Sequence, residues 1–434
     1  EEEEEEEEDE SSQHDRVGRK LQRDRLKRQG MYERTVGKTV ANDIALMQKD
    51  IYAQAPATAQ EEAKAWVASG KVKYLRGHDL TPTCVALQAN GERALSGSKD
   101  NSVILWDVEN CKRITNVCNQ WKSTDMEDPR GNGEVLSLAC SDDGRYAAIG
   151  RRDATVSIFD IRLSGKKQST SLVTLFKGHK GPVTSLSFRT QSLQLFSGSE
   201  DRCIRHYNLE QMAYIETLYG HQAAVTDIDC HLKERPISVS MDRTARAWKV
   251  AEDTHLIYRG SSKVSWADCV SLVKDDWFVT GHQDGNLCLW MTEKKKAVET
   301  VVFAHGQIGA VARGIHSICG FKGSDLVATG SSDGYLRLWK ALTGSTKEER
   351  GIEALSRVPL HGFINDIAIG PKARFCVAAV GQEPRLGRWD RVSKAKNRFG
   401  IIQLRCDESE SDEDDSSQDE GSSGGEKEHS DESD

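Results

Sequence analysis

An acidic residue followed six positions later by an aromatic residue recurs seven times in this 434-residue chain. The copies start about 40 to 50 residues apart, the period of a four-stranded blade that stacks on equivalent blades in a ring. Short apolar segments with alternating character lie between the copies. The copies are Asp100–Trp106, Asp153–Phe159, Asp201–Tyr207, Asp242–Trp248, Asp284–Trp290, Asp333–Trp339 and Glu383–Trp389.

This repeat predicts an all-β fold, a seven-bladed WD-repeat β-propeller. Length alone would suggest two or three domains, but seven blades occupy most of the chain. Side chains alternate along a strand, so Val103 and Leu105 are expected to face one neighbouring blade. Ile104 and Trp106 are then expected to face the other.

The recurring spacing also predicts buried polar networks inside blades. The turn Asp can bond the His of a Gly-His pair that opens the blade, and a strand Ser can bridge that His to the indole N–H. We interpret these sets as scaffold, because a buried network is favourable only when every member is satisfied. Blade two lacks the Gly-His pair, and blade five has Ser261 where His is expected. Complete sets are His78, Ser96, Asp100 and Trp106 in blade one, and His221, Ser238, Asp242 and Trp248 in blade four.

Charge divides the chain into four predicted segments. Residues 1–14 are an acidic, disordered segment, 15–70 a basic and amphipathic helical extension, 71–406 the propeller, and 407–434 an acidic, disordered tail. Residues 1–10 carry −10 and residues 407–434 carry −13, so the overall −9 leaves +14 on residues 11–406. A basic body between acidic tails favours a polyanionic partner, with solubility alone as the alternative.

The helical extension carries one apolar stripe, at Val36, Val40, Ile44, Met47 and Ile51, which predicts a helix within residues 31–52 that docks on the propeller or on a partner. A capping-box pattern at 58–61 opens a second helix that Gly70 is expected to close. The basic run at 14–34 is expected to be helical and suits a nuclear import signal, a nucleic-acid arm or a solvated face.

Ring closure has two candidates. Residues 71–75 are favoured as the outer strand of the last blade, with residues 401–404 outside or beside them. Two connections are longer than a blade needs, at 118–133 and 341–359, and such loops either carry function or tolerate insertion.

Several classes of function find no support in the sequence. It lacks phosphate-binding, nucleophile-elbow and metalloprotease motifs, and no residues have metal-ligand spacing. We therefore predict a protein that is not an enzyme and that uses no cofactor or metal. Eleven cysteines without a Cys-x-x-Cys pair indicate a reducing compartment, and no apolar run predicts a membrane span.

Basic residues cluster at the predicted turns between the second and third strands of the blades. All these turns leave the ring on one face, so they form a crescent over blades seven, one, two, three and four. Such a crescent would neutralise phosphates, with an ordinary charged surface as the alternative. Its members are Lys99, Arg151, Arg152, Arg202, Arg243 and Arg385.

The last blade is the most distinctive, with LHGFINDI at 360–367 and VGQEPRLGRWDR at 380–391. From residue 36 to residue 405 the chain resembles the WD-repeat subunit specific to the U3 small nucleolar ribonucleoprotein, the ribosomal RNA processing protein nine family. The acidic tail beyond Arg405 departs from that pattern. The resemblance implies a non-catalytic subunit that binds the box B/C region of U3 small nucleolar RNA together with a small kink-turn-binding protein. It also implies action in the nucleus and nucleolus, with other proteins of the small-subunit processome, during early pre-ribosomal RNA processing.

Within this resemblance the last blade supplies candidate RNA contacts. Guanidinium groups suit phosphates and guanine edges, amides can read a base, and an aromatic ring can stack on one. The alternatives are that Arg388 ties the blade together and that Phe363 is core, and a structural role is favoured for Trp389. The candidates are Phe363, Asn365, Gln382, Arg385, Arg388, Arg391, Lys394 and Lys396.

A scaffold that binds only proteins is the alternative function. Propellers commonly bind peptides at the mouth of the channel. Residues 159–162 also weakly resemble the Trp-Asp-x-Arg ending of substrate receptors of ubiquitin ligases.

Overall fold

A computed structural model describes residues 36–51, 59–118, 133–163, 172–260, 264–309, 311–344, 346 and 349–405. Within these residues, seven antiparallel sheets of four strands each follow one another around a central channel. We letter the strands of each blade a to d from the channel outward. The seven-bladed WD-repeat propeller predicted from the repeat is confirmed.

Each blade is a meander whose strands pair with their sequence neighbours. The first four blades comprise β2 Pro82–Leu87, β3 Arg93–Ser98, β4 Val103–Asp107 and β5 Lys112–Cys118; β6 Val135–Cys140, β7 Tyr146–Arg151, β8 Thr155–Asp160 and β9 Leu172–Lys177; β10 Val183–Phe188, β11 Gln194–Ser199, β12 Ile204–Asn208 and β13 Ala213–Leu218; and β14 Val225–Asp229, β15 Ile237–Ser240, β16 Thr244–Lys249 and β17 Thr254–Arg259. Blades five and six comprise β18 Ala267–Lys274, β19 Trp277–His282, β20 Leu287–Met291 and β21 Glu299–Val301, and then β24 Ile315–Gly320, β25 Leu326–Ser331, β26 Tyr335–Thr343 and β27 Arg350–Pro359. A small hairpin, β22 Gln307–Ile308 and β23 Val311–Ala312, lies between them.

Blade seven closes the ring with strands from both ends of the propeller. Its order from the channel is β28 Phe363–Ile369, β29 Phe375–Gly381, β30 Arg398–Gln403 and β1 Val72–Leu75. The segment at 71–75 is therefore the outer strand, as favoured from the sequence. The segment at 401–404 pairs on the inner side of that strand, where it contributes to strand c.

This arrangement corrects the seventh copy of the repeat. The sequence placed Trp389 on a third strand that follows Glu383, but residues 382–397 form a loop without strand pairing. Strand c of blade seven is β30, which follows the loop, and its Phe399 packs flat on Trp106 of blade one with ring centres 5.3 Å apart. The packing contact expected from an aromatic residue on strand c is thus made by Phe399.

The region at 341–359 is also different from the predicted long loop between blades. It extends strands c and d of blade six, which pair from Tyr335–Pro359 at one end to Thr343–Arg350 at the other. Strands c and d of blade six are therefore longer than the corresponding strands of the other blades.

Two helices, α1 Val36–Ile51 and α2 Ala59–Ala68, pack on blades six and seven. Val36, Val40, Ile44 and Met47 are buried in the core shared by these blades, so of the two alternatives left by the sequence the stripe docks on the propeller. The side chain of Ile51 and the region 1–35 lie outside the described residues.

The second helix ends as the sequence predicts. Gly70 has φ +77°, a backbone conformation that glycine adopts without strain, and its N–H donates to the carbonyl of Val67 at 3.1 Å.

The core consists of apolar side chains between adjacent blades. Val103 and Leu105 pack toward blade two, whereas Ile104 and Trp106 pack toward blade seven, as the strand alternation predicts. Neighbouring inner strands are further joined by buried threonines. For example, Thr226 Oγ1 donates to the carbonyl of Ala267 in the next blade at 2.7 Å.

Candidate nucleic-acid interface

One face of the ring carries the b–c turns and the starts of the a strands, and we call it the upper face. Hydrogen bonds between these segments establish that they share a face: Lys99 N–H donates to Thr81 O, and Met241 N–H donates to Ala224 O. The opposite, lower face carries the a–b and c–d turns. Every basic turn residue predicted from the sequence belongs to a segment of the upper face.

Buried His–Ser–Trp networks fix the b–c turns. In blade four His221 contacts Asp242 at 2.9 Å and Ser238 at 2.7 Å, and the indole N–H of Trp248 donates to Ser238 Oγ at 2.8 Å. Burial opposes ionisation of Asp242, but hydrogen bonds from His221 and Thr244 outweigh burial and hold the pKa of this carboxyl below its usual range.

Blade one varies this network. His78 contacts Ser96 and Ser102, each at 2.6 Å, and Ser102 contacts Asp100 in turn. The indole N–H of Trp106 donates to Ser96 Oγ at 2.7 Å. All eight residues predicted for the two networks therefore meet, but in blade one His78 reaches Asp100 chiefly through Ser102.

A third complete network lies in blade six, through His305, Thr329, Asp333 and Trp339. This set was not predicted from the sequence, because the β22–β23 hairpin separates His305 from the strands of blade six. The order Ala-His-Gly instead of Gly-His also concealed it.

Arg202 and Arg243 are exposed on the upper face and adopt positive φ, +71° and +61°. The equivalent position after the turn acid is Gly285 in blade five and Gly334 in blade six. Asn101 in blade one and Ala154 in blade two also have positive φ at this position, so the conformation belongs to the short b–c turn. Arg152 is also exposed and bonds Glu134 at 2.6 Å.

Arg151 and Lys99, by contrast, point into the protein. Arg151 is fully buried and donates to Asn101 Oδ1 at 3.1 Å, to Ser157 Oγ at 2.9 Å and to Cys118 Sγ at 3.2 Å. It links blade two, which lacks the Gly-His pair, to blade one. Arg151 is therefore not placed to touch RNA.

Lys99 is buried and holds the loop of the last blade. Its Nζ donates to the carbonyl of Gly387 at 2.6 Å and lies 3.7 Å from Glu383. Burial lowers the pKa of Lys99, while Glu383 opposes that change. The role that the structure gives Lys99 is to anchor the loop.

The loop Gln382–Asn397, which we call the blade-seven loop, replaces a b–c turn. It has sixteen residues between β29 and β30, whereas four residues join β3 to β4 in blade one. Its charged residues give it a net charge of +3. Four cationic side chains of the loop are exposed on the upper face: Arg388, Arg391, Lys394 and Lys396.

Two predicted contacts hold the loop from within. Asn365 is buried, and its side-chain N–H groups donate to Pro82 O at 2.8 Å and to Glu383 O at 3.0 Å. Gln382 donates to Ala395 O at 2.7 Å and accepts from Arg391 at 3.0 Å. Neither amide projects as a free reader of bases.

Phe363 is buried against the ring of His316, with ring centres 5.8 Å apart, so Phe363 is a core residue and does not face solvent.

Trp389 was expected to have a structural role inside the blade, but the structure places it at the surface. Its side chain is 69% exposed, so it is not the buried blade tryptophan that the repeat implied.

Arg385 enters the central channel. Its guanidinium donates to the carbonyl of Thr226 on the inner strand of blade four at 3.1 Å. Burial raises the pKa of Asp227 to about 7 and those of Asp268 and Asp366 to about 6, and the charge of Arg385 partly offsets each increase. The side chain thus ties the blade-seven loop to an acidic channel and does not project toward solvent.

An exposed apolar hairpin was not predicted from the sequence. Ile308 and Val311 face each other across β22–β23, and both are largely exposed. The closely spaced Gly306 and Gly309, each with positive φ, were the available signal.

The described part of the chain contains no group of three or more His, Cys, Asp or Glu residues that could hold a metal ion. Neither α1 nor α2 is long and apolar enough to cross a membrane. In the segment 159–162, which weakly resembles ligase receptors, Ile161 is buried and Arg162 pairs with Asp160 at 3.0 Å. The charged side chains of this segment therefore contact each other.

Comparison with known proteins places these features in a family context. The sequence family described as "WD domain, G-beta repeat" matches residues 69–107, 127–160, 170–208, 212–249 and 301–340. A U3 snoRNP-associated protein-like protein of Arabidopsis thaliana is 37% identical over 359 residues, which cover 78% of this chain and 72% of the relative. The human U3 small nucleolar RNA-interacting protein 2 is 33% identical over 398 residues, 91% of this chain and 76% of the relative. A crystal structure of RRP9 WD40 repeats aligns with a TM-score of 0.70 and 34% identity, over 78% of this chain and 98% of that one.

Proposed function

The chain belongs to the family of WD-repeat proteins associated with the U3 small nucleolar ribonucleoprotein, and we propose that it is a non-catalytic subunit that recognises the box B/C region of U3 small nucleolar RNA. Membership of this family supports a role of the chain in the U3 ribonucleoprotein and in ribosomal RNA processing. The proposal extends to a shared site with a small kink-turn-binding protein, to contacts with other proteins of the small-subunit processome, and to a nucleolar location.

One observation carries the RNA proposal: the blade-seven loop is four times as long as the blade-one turn and projects four exposed cations from a single face. The loop is a folded element, since Lys99, Asn365 and Arg385 hold it to blade one, to its own blade and to blade four. Cations on a fixed support lose little conformational freedom when they bind phosphates.

The exposed arginines of the short turns extend this surface. Arg152, Arg202 and Arg243 lie on the same face in blades two, three and four. With the loop they form a reduced version of the predicted crescent, without Lys99, Arg151 and Arg385. A bent RNA with a kink-turn is recognised mainly by shape and backbone, which suits separated cations on a rigid ring.

The direct test is binding of the full chain to a box B/C RNA in solution. The variant replaces the four exposed loop cations together: Arg388→Ala, Arg391→Ala, Lys394→Ala and Lys396→Ala. The matched control is Lys294→Ala, Lys295→Ala and Lys296→Ala, because these three exposed lysines lie in a c–d turn on the lower face. Neither variant removes a buried side chain of the ring, but the loop variant also removes the hydrogen bond from Arg391 to Gln382 and the ion pair of Arg388 with Glu383.

We expect the loop variant to lose at least tenfold in affinity and to reduce the slope of log K against log salt by roughly 0.7 to 0.9 for each lost phosphate contact. The lysine control is expected to change both quantities much less. Equal losses in the two variants would show nonspecific attraction to a basic body. Full affinity in the loop variant would remove the loop from the interface.

A protein-binding scaffold remains the second candidate, and the exposed hairpin with Ile308 and Val311 favours it. The two functions differ in one observable. An RNA-dependent subunit loses its associated proteins after RNase treatment and at high salt, whereas a pure protein scaffold retains them.

A further inference from the structure

Trp389 is unusual among the tryptophans of this protein. Seven others lie in the described residues, of which six are buried and Trp266 is partly buried. Trp389 has 69% of its surface exposed and lies near the middle of the blade-seven loop in sequence. Exposed indole rings commonly mark a binding surface.

The ring of Trp389 is supported on one side by the backbone of the loop. Gly387 has φ +87°, and a side chain at this position would collide with the six-membered ring of the indole. Only a residue without Cβ therefore lets the ring lie against the chain at this point.

The backbone under the ring is itself fixed. Lys99, which is buried, donates from Nζ to the carbonyl of Gly387 at 2.6 Å. The support of the indole is thus connected to blade one, while most of the surface of Trp389 is exposed.

The surroundings of the ring select the chemistry of its partner. Arg388 directly precedes Trp389 in the chain and Arg391 follows two residues after it, and the loop as a whole carries +3. Arg388 lies 3.5 Å from Glu383 yet keeps 62% of its side chain exposed, and Arg391 is exposed as well. An aromatic face beside exposed cations matches a nucleotide, which offers a flat base and an attached phosphate.

We propose that Trp389 is a stacking platform for an unpaired base of the bound RNA, with Arg388 and Arg391 contacting the adjoining phosphates. This inference rests on the proposed RNA-binding function and adds to it a residue and a ligand class: a base in a single-stranded or splayed-out position. Fully paired RNA offers no such face at the side of the helix.

The test measures affinity of the full chain for two RNAs, a box B/C RNA with its unpaired nucleotides and the same RNA made fully base-paired by a complementary strand. The variants are Trp389→Ala and Trp389→Phe. Tyr219→Ala is the matched control, since Tyr219 is 71% exposed on the upper face between blades three and four. Thermal unfolding of each variant verifies that the propeller is intact.

Trp389→Ala is expected to weaken binding of the RNA with unpaired bases by about 5- to 150-fold, the range that corresponds to about 1–3 kcal/mol for a stacked base. Trp389→Phe is expected to retain most of the affinity. The salt slope is expected to remain unchanged, because no charge is removed. Gly387→Ala is expected to behave like Trp389→Ala, because it displaces the ring.

A fluorescence measurement provides a readout independent of affinity. Addition of the RNA is expected to quench indole emission in the wild type, and the quenching is expected to disappear in Trp389→Phe while that variant still binds.

Three results would overturn the inference while leaving the proposed function intact. The first is that Trp389→Ala keeps full RNA affinity although the loop-cation variant has lost it. The second is that Trp389→Ala weakens binding of the fully paired RNA as much as binding of the RNA with unpaired bases. The third is that Trp389→Ala loses a protein partner while its RNA affinity is unchanged. If the wild type binds neither RNA above its affinity for an unrelated RNA, the proposed function itself fails, and the stacking platform with it.

Discussion

Replacing Arg385 with Met removes a cation from the channel while keeping a side chain of similar length. In the wild type this guanidinium donates to Thr226 O at 3.1 Å and faces the carboxyls of Asp227, Asp268 and Asp366. The structure therefore predicts a loss of stability whose size depends on pH.

The sign follows from the three carboxyl groups. Burial raises the pKa of Asp227 to about 7 and those of Asp268 and Asp366 to about 6, whereas an unfolded chain has Asp at about 4. The folded protein thus holds more protons than the unfolded chain between pH 4 and pH 7, and its stability from these groups falls as pH rises through that window. Arg385 offsets part of the fall, because it stabilises the ionised carboxylates.

At pH 5 the three groups are protonated in the folded protein, so Arg385→Met loses mainly one charge-assisted hydrogen bond, about 2 kcal/mol. At pH 8 the groups are ionised and lose their buried countercharge as well, so the cost rises to about 4 kcal/mol. The predicted quantity is the difference of about 2 kcal/mol between the two pH values.

The assay is denaturant unfolding of wild type and variant at pH 5 and pH 8. Arg388→Met is the control, since Arg388 belongs to the same loop but is largely exposed, and a loss below about 1 kcal/mol at both pH values is expected. Equal destabilisation by Arg385→Met at the two pH values, or a larger loss at pH 5, would refute the placement of this side chain among ionisable carboxyls.

Three further predictions concern other parts of the fold. Arg151→Met is expected to lower the free energy of unfolding by about 3–5 kcal/mol, because Arg151 makes several buried hydrogen bonds. Arg152→Met is expected to change the free energy of unfolding by less than about 0.5 kcal/mol and to weaken RNA binding. Denaturant midpoints and RNA affinities of the two variants distinguish these two roles. Ser238→Ala is expected to cost about 2–3 kcal/mol, since His221 and the indole of Trp248 each lose a partner, and a calorimetric scan that shows no fall in Tm would contradict the network. Ile44→Ala is expected to cost about 2–5 kcal/mol if α1 folds as one unit with the ring, and unfolding of the helix alone at unchanged propeller Tm would show that it docks independently.

The repeat made the propeller predictable, because its period, its turn acids and its strand alternation all have direct structural causes. The last blade shows the limit of that reasoning. The spacing from Glu383 to Trp389 matches the repeat, but Lys99, Asn365 and Arg385 hold this segment as a loop. The third and fourth strands of blade seven are β30 and β1, which come from opposite ends of the propeller sequence. A pattern within a short stretch of sequence cannot predict that two such distant strands pair.

The sequence predicted which face the basic turn residues share but not which of their side chains are exposed. Arg151 and Arg152 are adjacent in sequence, yet one is fully buried and the other exposed, because Arg151 ends β7 and Arg152 begins the turn. A one-residue difference in the strand boundary decides this outcome. Lys99 was predicted as an RNA contact and instead supports the backbone beneath Trp389, which depends on how the distant loop folds.

The most direct measurement of the central claim is immunoprecipitation of the tagged full chain from cells, followed by sequencing of the bound RNA. It compares the wild type, the variant with Arg388, Arg391, Lys394 and Lys396 changed to Ala, and the lower-face lysine control. U3 small nucleolar RNA is predicted to dominate the wild type and the control and to fall sharply in the loop variant. Absence of that RNA from the wild type, or equal recovery by all three folded proteins, would contradict the proposal that the blade-seven loop recognises it.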